Sequence, residues 1–165
     1  MLESPGAAGV GQAVPITPLQ SLMGFYEAEG RYSATGRDED RNALLATLHP
    51  GIVLHQPASL PYGGVWQGRD GFGRWLDAFT QAWAGIEPLD PAFYPAGDDV
   101  LVSTVTMRAT SRSSGVTLVM PLCQVIRFCD GLPIEWRNFA WDTAHMLDAL
   151  RPPPVHHPSQ PSSNG

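Results

Sequence analysis

Three polar residues stand at alternating, otherwise apolar positions in two segments of strand-like composition. Gln124 lies in segment 116–129, and Asn138 and Asp142 lie in segment 132–142, whose other even-numbered residues are apolar. Alternate residues of a β-strand point to the same face of a sheet. A few polar groups that converge in an apolar concavity are typical of a small-molecule pocket.

The Asp-Gly pair at 130–131 predicts that these two segments form a hairpin. Residues whose numbers sum to about 261 or 262 then face each other across the antiparallel pair. Gln124 would therefore lie opposite Asn138 or nearly so. A β-bulge in either strand would reverse part of this assignment.

A carboxylate in such a pocket loses solvation, which raises its pKa and suits it to general acid–base catalysis. Asp142 is our candidate for that role. Alternatively it caps the helix predicted to follow it, and the two roles are compatible. Gln124 and Asn138 either bind a substrate or are hydrogen-bonded buried amides.

Two further residues are candidates for polar roles in the pocket. His55 is next to Gln56 in a predicted strand, and the sequence leaves open which of the two faces the pocket. Paired with an inward Asp, His55 would be a proton shuttle; otherwise it is a structural residue. Tyr62, in a loop, either donates a hydrogen bond from its phenol or packs at the rim.

The pocket walls should include large apolar side chains. Trp66 and Trp136 are the best aromatic candidates among the five tryptophans. Met120 is a further candidate for substrate contact, since it shares the even-numbered apolar face with Gln124.

The chain has no lysine, because all ten basic residues are arginine. Schiff-base chemistry on a lysine amine and lysine-dependent phosphate sites are therefore excluded. Cys123 and Cys129 would be about 20 Å apart in a continuous strand, too far for a disulfide. No zinc-type Cys/His spacing surrounds them, so we expect free thiols, no metal and no cofactor.

The net charge of −6 argues against nucleic acid and anionic membranes as partners. No apolar run approaches the ~20 residues of a membrane span, and residues 1–20 lack the pattern of a signal peptide. We expect a cytoplasmic protein whose partner is a hydrophobic small molecule.

Termini rich in Gly and Pro flank one candidate domain. We predict a disordered N-terminal tail over 1–17, a folded domain over 18–150 and a disordered Pro-rich tail over 151–165. Neither tail can bury enough apolar surface to offset the entropy lost on ordering.

Within the domain, hydrophobic periodicity predicts helices first and strands later. A first helix should run from Pro18 to just before Gly36, Asp38 should N-cap a second, and Asp70 should begin a third whose apolar stripe ends at Trp83. The apolar stripe of the first helix comprises Leu19, Leu22, Met23 and Tyr26. The predicted strands are 52–56, 87–95, 99–111, 116–129 and 132–142, with a loop at 57–64 and a last helix after Asp142. This order indicates an α+β fold with helices on one face of a curved antiparallel sheet.

Two segments resemble SnoaL-like proteins of the nuclear transport factor 2-like superfamily, which also contains the ketosteroid isomerases. They are 60–72 (Leu-Pro-Tyr-Gly-Gly-Val-Trp-Gln-Gly-Arg-Asp-Gly-Phe) and 134–144 (Ile-Glu-Trp-Arg-Asn-Phe-Ala-Trp-Asp-Thr-Ala). The resemblance covers about 18–150. It implies a cone-shaped α+β barrel, in which a curved, mostly antiparallel sheet wraps around helices and encloses one deep cavity. It also implies a homodimer formed through the outer face of the sheet.

The resemblance further implies a chemistry. In SnoaL-like cyclases an Asp near the end of the last strand is the acid–base and no cofactor is used; Asp142 matches that position. Their partner histidine has no match on the later strands, so His55 is the substitute candidate. An epoxide-hydrolase-type site would need Arg137 turned inward, whereas strand alternation places it on the outer face.

The first functional hypothesis is a cofactor-independent isomerase or cyclase that acts on a polyketide-like or other natural-product intermediate. Asp142 would move the proton, and His55 or Tyr62, with Gln124 and Asn138, would hold the developing enolate oxygen. The alternatives are a non-catalytic small-molecule-binding module on the same fold and an epoxide-hydrolase- or dehydratase-type enzyme, because one fold hosts many activities.

Overall fold

Four helices and six strands follow one another along residues 16–154, the part of the chain that this computed structural model describes. In chain order they are α1 (Pro18–Thr35), α2 (Asp38–Ala46), β1 (Val53–Gln56), β2 (Gly64–Gln67), α3 (Gly68–Ala82), β3 (Trp83–Pro95), β4 (Val100–Ser111), β5 (Thr117–Cys129), β6 (Leu132–Ala140) and α4 (Thr143–Leu150). The predicted α+β class and the order of its long elements are confirmed.

Helix α1 begins and ends where its sequence indicates. Thr17 is the N-cap: its side chain accepts a hydrogen bond from the Gln20 backbone N–H, and its own backbone N–H donates to Gln20 Oε1. This capping box satisfies N–H groups that the first turn leaves unpaired. At the other end Gly36 takes the left-handed conformation, φ 62°, which glycine adopts without a Cβ clash.

Several predicted element boundaries are wrong, among them the end of β6, which lies at Ala140 rather than at residue 142. Asp38 is the first helical residue of α2, whose N-cap is Arg37, and α3 begins at Gly68 rather than at Asp70. Trp83 leaves the helix and opens β3 in extended backbone, four residues before the predicted start of that strand. Strand β2 is unpredicted: it has only four residues, and the predicted loop at 57–64 ends on the first of them.

The strands form one mixed sheet in the order β2-β1-β6-β5-β4-β3. Strand β1 runs parallel to β6, and every other neighbouring pair is antiparallel. The sheet curves around the helices as in a cone but does not close. The hairpin register is the predicted one, with Gln124 opposite Asn138, and a shift occurs only beyond Arg127, next to the turn.

One face of the sheet is covered and the other is open to solvent. Even-numbered residues of β5 such as Leu118 and Ile126 are buried, whereas Val119 on the odd face is exposed. Two apolar clusters form the core on the covered face: α1, α2 and α3 pack over β1 and β6, and α4 packs with Trp83 against β4 and β5. A gap between the helices and the sheet therefore has apolar walls.

Two other predictions concern the ends of the chain and its cysteines. The predicted disordered tails fall mainly on residues 1–15 and 155–165, which lie outside the described residues. Cys123 and Cys129 are both free thiols, as predicted, and are half-buried.

None of the described helices is long and apolar enough to cross a membrane.

The loop after β1 leaves no room for a side chain at Gly63. A Cβ there would overlap the carbonyl oxygens of Pro57 and Leu60, the latter at 2.8 Å, and backbone atoms cannot move aside cheaply. We expect Gly63→Ala to lower the free energy of unfolding by about 2 kcal/mol, as overpacking typically does. Urea unfolding followed by circular dichroism measures this change.

Gly24→Ala is the matched control for this loop substitution. Gly24 lies within α1, and a Cβ there would meet nothing within 4 Å. Alanine should stabilise the helix there by up to about 1 kcal/mol. Equal effects of the two substitutions would contradict a steric role for Gly63.

Candidate functional site

A cavity of about 150 Å³ lies between the covered face of the sheet and the helices. It is lined by residues of three helices, α1, α3 and α4, and of the loop after β1. Strands β1 and β3–β6 supply the rest of the lining. Most of its wall is aliphatic or aromatic. Its polar residues are Tyr26, Glu29, Gln56, Tyr62, Gln124 and Asn138, and the rings of Trp75 and Trp136 also line it.

The aromatic residues of the wall hold one another in place. The ring of Phe72 meets Trp75 edge-on at a centroid distance of 5.0 Å, and Phe25 lies 5.0 Å from Trp136. Trp75 also stacks on Phe79 at 5.2 Å. Such pairs add specific geometry to the apolar area that they bury. The wall is therefore a rigid aromatic surface on the side of α1 and α3.

A chain of hydrogen bonds crosses the sheet at the cavity floor. The buried Ser103 hydroxyl donates to Gln124 Oε1 at 2.9 Å, and Gln124 Nε2 donates to Asn138 Oδ1 at 2.8 Å. With its oxygen engaged in this way, Asn138 keeps its amide N–H donors for other partners. The predicted convergence of Gln124 and Asn138 in an apolar concavity is thus present.

Glu29, on α1, is the carboxylate of this cavity, and it is not among the site residues predicted from the sequence. Burial raises the pKa of Glu29 to about 7 because an apolar wall disfavours its charged form. Near neutral pH both protonation states are populated, as acid–base catalysis requires. A signal was available: Leu22, Tyr26 and Glu29 stand at the i, i+4, i+7 spacing of one helix face.

Two tyrosines of the wall stay protonated at neutral pH. Burial, with the negative charge of Glu29 second, raises the pKa of Tyr26 to about 12 against an opposing hydrogen bond with Ser103. Burial also raises the pKa of Tyr62 to about 12. Trp83 Nε1 donates to the Tyr62 hydroxyl at 2.9 Å, which orients the ring toward Phe79. Neither phenol can therefore act as a base. The Tyr26 hydroxyl is engaged with Ser103, whereas the Tyr62 hydroxyl, which accepts from Trp83, keeps its own proton to donate.

Asp142 does not line this cavity, contrary to the predicted convergence. Strand β6 ends at Ala140, and the exposed Asp142 is the N-cap of α4, where its Oδ1 accepts from the His145 N–H at 3.0 Å. The alternative prediction of a helix cap is confirmed. The cap geometry turns the carboxylate away from the apolar face that strand alternation had assigned to it.

The choice between His55 and Gln56 is resolved by their strand. Gln56 lines the cavity, while His55 lies on the opposite side, with its Nε2 3.3 Å from Glu135 Oε1. Arg137 also binds Glu135 there, at 2.6 Å. Hydrogen bonds from Arg137 above all hold the pKa of Glu135 below its usual range. His55 belongs to an ion-pair cluster on the outer face of the sheet.

Trp66 and Met120 are not part of the cavity wall, although both were predicted there. The Trp66 indole donates to the backbone oxygen of Tyr62 at 3.2 Å and packs against the first core cluster. Met120, 1% exposed, lies deeper in the second core cluster. Of the predicted site residues, Tyr62, Gln124, Trp136 and Asn138 do line the cavity.

Away from the cavity, one cluster in the described part of the chain brings together side chains of metal-ligand type. One ligand atom each of His49, Cys129 and Asp130 lie within 4.8 Å of one another. The His49 Nδ1, however, already accepts a hydrogen bond from the Gly51 N–H at 3.0 Å. The cavity wall includes none of these three residues.

Comparison with known proteins gives the chain a structural context. The family model described as a SnoaL-like domain matches residues 27–136. A nuclear transport factor 2-like protein from Burkholderia thailandensis is 25% identical, with a TM-score of 0.69 over 82% of this chain and 98% of its own. One from Burkholderia xenovorans is 19% identical, with a TM-score of 0.71 over 84% and 100%.

A protein of Xanthomonas campestris pv. campestris, provisionally named a polyketide cyclase, is 16% identical, with a TM-score of 0.64 over 81% of this chain and 96% of its own. Such low identity shows the shared fold and not the activity. No curated protein matches the chain.

The raised pKa of Glu29 makes stability depend on pH. Between the unfolded pKa, about 4.3, and the folded value near 7, the folded chain binds more protons than the unfolded one. Its unfolding free energy should therefore fall as the pH rises through this window. We expect the wild type to lose roughly 3 kcal/mol relative to Glu29→Gln between pH 4 and pH 8.

Urea unfolding of both proteins across this pH range measures the difference. Glu27→Gln is the control, because Glu27 is exposed on the same helix, and it should follow the wild type at every pH. Parallel stability profiles for the wild type and Glu29→Gln would show that the carboxyl is not desolvated.

Proposed function

This chain belongs to the SnoaL-like domain family, and on that basis we propose that it is a cofactor-independent isomerase or cyclase. The reaction would move a proton on a hydrophobic carbonyl compound, such as a polyketide-like or other natural-product intermediate. The observation that carries the proposal is the carboxylate of Glu29, with a pKa of about 7, in the wall of an apolar cavity.

Glu29 would act first as the base. Its carboxylate takes a proton from a carbon next to the substrate carbonyl. The electron pair of that C–H bond forms a C=C bond, and the π pair of the C=O bond moves to the oxygen. In isomerisation of a β,γ-unsaturated carbonyl compound, protonated Glu29 returns the proton to the γ-carbon of the dienolate and the C=O bond re-forms. In cyclisation, the enolate carbon attacks a second carbonyl carbon of the substrate, and protonated Glu29 gives its proton to the resulting alkoxide oxygen. In isomerisation the proton is returned, so the cycle needs no external acid.

The enolate oxygen needs hydrogen-bond donors on the opposite side of the substrate. Asn138, oriented by Gln124 and Ser103, offers its amide N–H, and Tyr62 offers a phenol that burial keeps protonated. Preorganised donors of this kind stabilise a developing oxyanion in a site that excludes water. The base lies on a helix and the donors on the sheet and its adjoining loop, so a substrate between them contacts both.

A non-catalytic binding module is the second candidate function. It is favoured by the exposed, helix-capping position of Asp142, which corresponds to the catalytic aspartate of the cyclases that the chain resembles. An epoxide-hydrolase-type site is not proposed, because Arg137 lies on the outer face, bound to Glu135.

Proton abstraction can be tested without the natural substrate. In D₂O the wild type should catalyse the exchange of deuterium for hydrogen at the acidic carbon beside the carbonyl of 2-tetralone. The loss of the ¹H NMR signal of that carbon measures the exchange rate. Glu29→Gln should slow the exchange by about 100-fold or more, the usual contribution of a general base. The wild-type rate should rise with pH and level off above about 7, since only the carboxylate accepts a proton.

Asp142→Asn is the matched control, because asparagine caps helices as well as aspartate does. It should exchange at the wild-type rate. Loss of exchange in Asp142→Asn, with full activity in Glu29→Gln, would return the role of base to Asp142. Exchange by the wild type at the rate of buffer alone, with 2-tetralone bound, would favour the binding module.

We also propose that two copies of the chain associate through the outer face of the sheet. Val119 on β5, Phe139 on β6 and Trp141 just after it are 52%, 53% and 84% exposed. Exposed apolar groups of this size, close together and beside the charged cluster around Glu135, are typical of an interface between proteins.

Phe139→Glu should convert this dimer to a monomer, because it would bury an unpaired carboxylate from each copy in the apolar contact. Sedimentation velocity at micromolar concentration measures the change. Tyr94→Glu is the control, since Tyr94 is 55% exposed but lies on β3, at the far edge of the sheet. A monomeric wild type would refute the proposed dimer.

A further inference from the structure

We infer that the indole N–H groups of Trp75 and Trp136 donate hydrogen bonds to acceptor oxygens of an uncharged ligand in the cavity. In naming the ligand class of the same site, this inference rests on the proposed function. Its physical basis is a pair of buried donors that the folded chain leaves unused, together with the charge of the wall around them.

Trp136 is almost completely buried, at 4% exposure, yet its Nε1 has no hydrogen-bond partner among the described residues. Its ring lies 5.0 Å from Phe25 and 6.3 Å from Phe72, which hold the indole in position. The Trp75 Nε1, on α3, is likewise buried without a partner. Burying an N–H group unpaired costs folding free energy, so each such group calls for an explanation.

Comparison with the indoles of the partly buried Trp66 and the buried Trp83 supplies the explanation. Trp66 donates to the Tyr62 backbone oxygen and Trp83 donates to the Tyr62 hydroxyl. Neither of these two lines the cavity, whereas both Trp75 and Trp136 do. Indoles outside the cavity are thus satisfied by the protein, and indoles in its wall are not. The missing partners are those that a ligand would bring.

The charge of the wall decides what kind of acceptor the ligand carries. Among the described residues that line the cavity there is no Arg or His, the chain has no Lys, and the carboxyl of Glu29 is present. An anionic ligand would lose its hydration there without a counter-charge and would face Glu29. Carbonyl, ether or hydroxyl oxygens on a flat apolar body match the donors and the aromatic walls.

Three isosteric probes test this inference by isothermal titration calorimetry. They are 2-acetylnaphthalene, 2-isopropenylnaphthalene, which replaces C=O by C=CH₂, and 2-naphthoate, which is anionic. The wild type should bind the ketone about 3- to 10-fold more tightly than the alkene, and the carboxylate more weakly than either. Trp75→Phe and Trp136→Phe keep a ring but remove the N–H, so each should lower the ketone-to-alkene affinity ratio.

Trp141→Phe is the matched control, because Trp141 is exposed and outside the cavity, and it should leave the ratio unchanged. An equal loss of ketone and alkene binding in both cavity variants would mean that these indoles only pack. No preference for the ketone in the wild type, or tighter binding of 2-naphthoate, would also overturn the inference. The wild-type comparison needs no variant to fold.

This binding experiment and the exchange experiment can fail separately. If the ketone preference depends on the two indoles but Glu29→Gln exchanges deuterium like the wild type, the donor subsite stands and the proposed base is wrong. If Glu29→Gln loses exchange but the indole substitutions leave the ratio unchanged, the proposed reaction stands and the donor subsite is wrong.

Discussion

The pairing of β5 with β6 across the Asp130-Gly131 turn determines which residues face the cavity. Side chains alternate along a strand, so a slip of β6 by one residue against β5 would send Asn138 to the outer face, away from Gln124, and bring Arg137 inward. Asp130 and Gly131 both adopt positive φ, which fits the tight turn and sets this register. The amide chain from Ser103 through Gln124 to Asn138 can form only in this register, because it joins three neighbouring strands at one level of the sheet.

Desolvation is what gives the cavity its chemical character. The helices that cover the sheet exclude water from Glu29, Tyr26 and Tyr62, and the pKa of each group is raised for that reason first. The consequences differ because the starting values differ. Two phenols move further from neutrality and remain donors, whereas one carboxyl moves to neutrality and gains access to both protonation states. A single physical effect thus separates the donors from the acid–base.

The parts of the fold that the sequence predicted are those encoded locally. The Asp-Gly turn, the alternation along β5 and the bounds of α1 at Pro18 and Gly36 depend on neighbours within a few positions. The parallel pairing of β1 with β6 joins residues about eighty positions apart, and no local pattern reports it. That pairing decides that His55 faces outward and Gln56 inward. Asp142 was misplaced because β6 ends two residues earlier and the cap of α4 redirects the chain.

The contrast between Asp142 and Glu29 shows what the cavity requires of its acid–base group. At the end of β6, the unpaired N–H groups of the helix that follows compete with the cavity for a carboxylate. Those of α4 bind Asp142 at the exposed surface. A carboxylate in the middle of α1 meets no such competition, because the backbone donors around it are already used within the helix. Its charge can be moderated only by the apolar wall. Glu29 continues the helix face of Leu22 and Tyr26. At that position burial can bring the pKa of a carboxyl near 7.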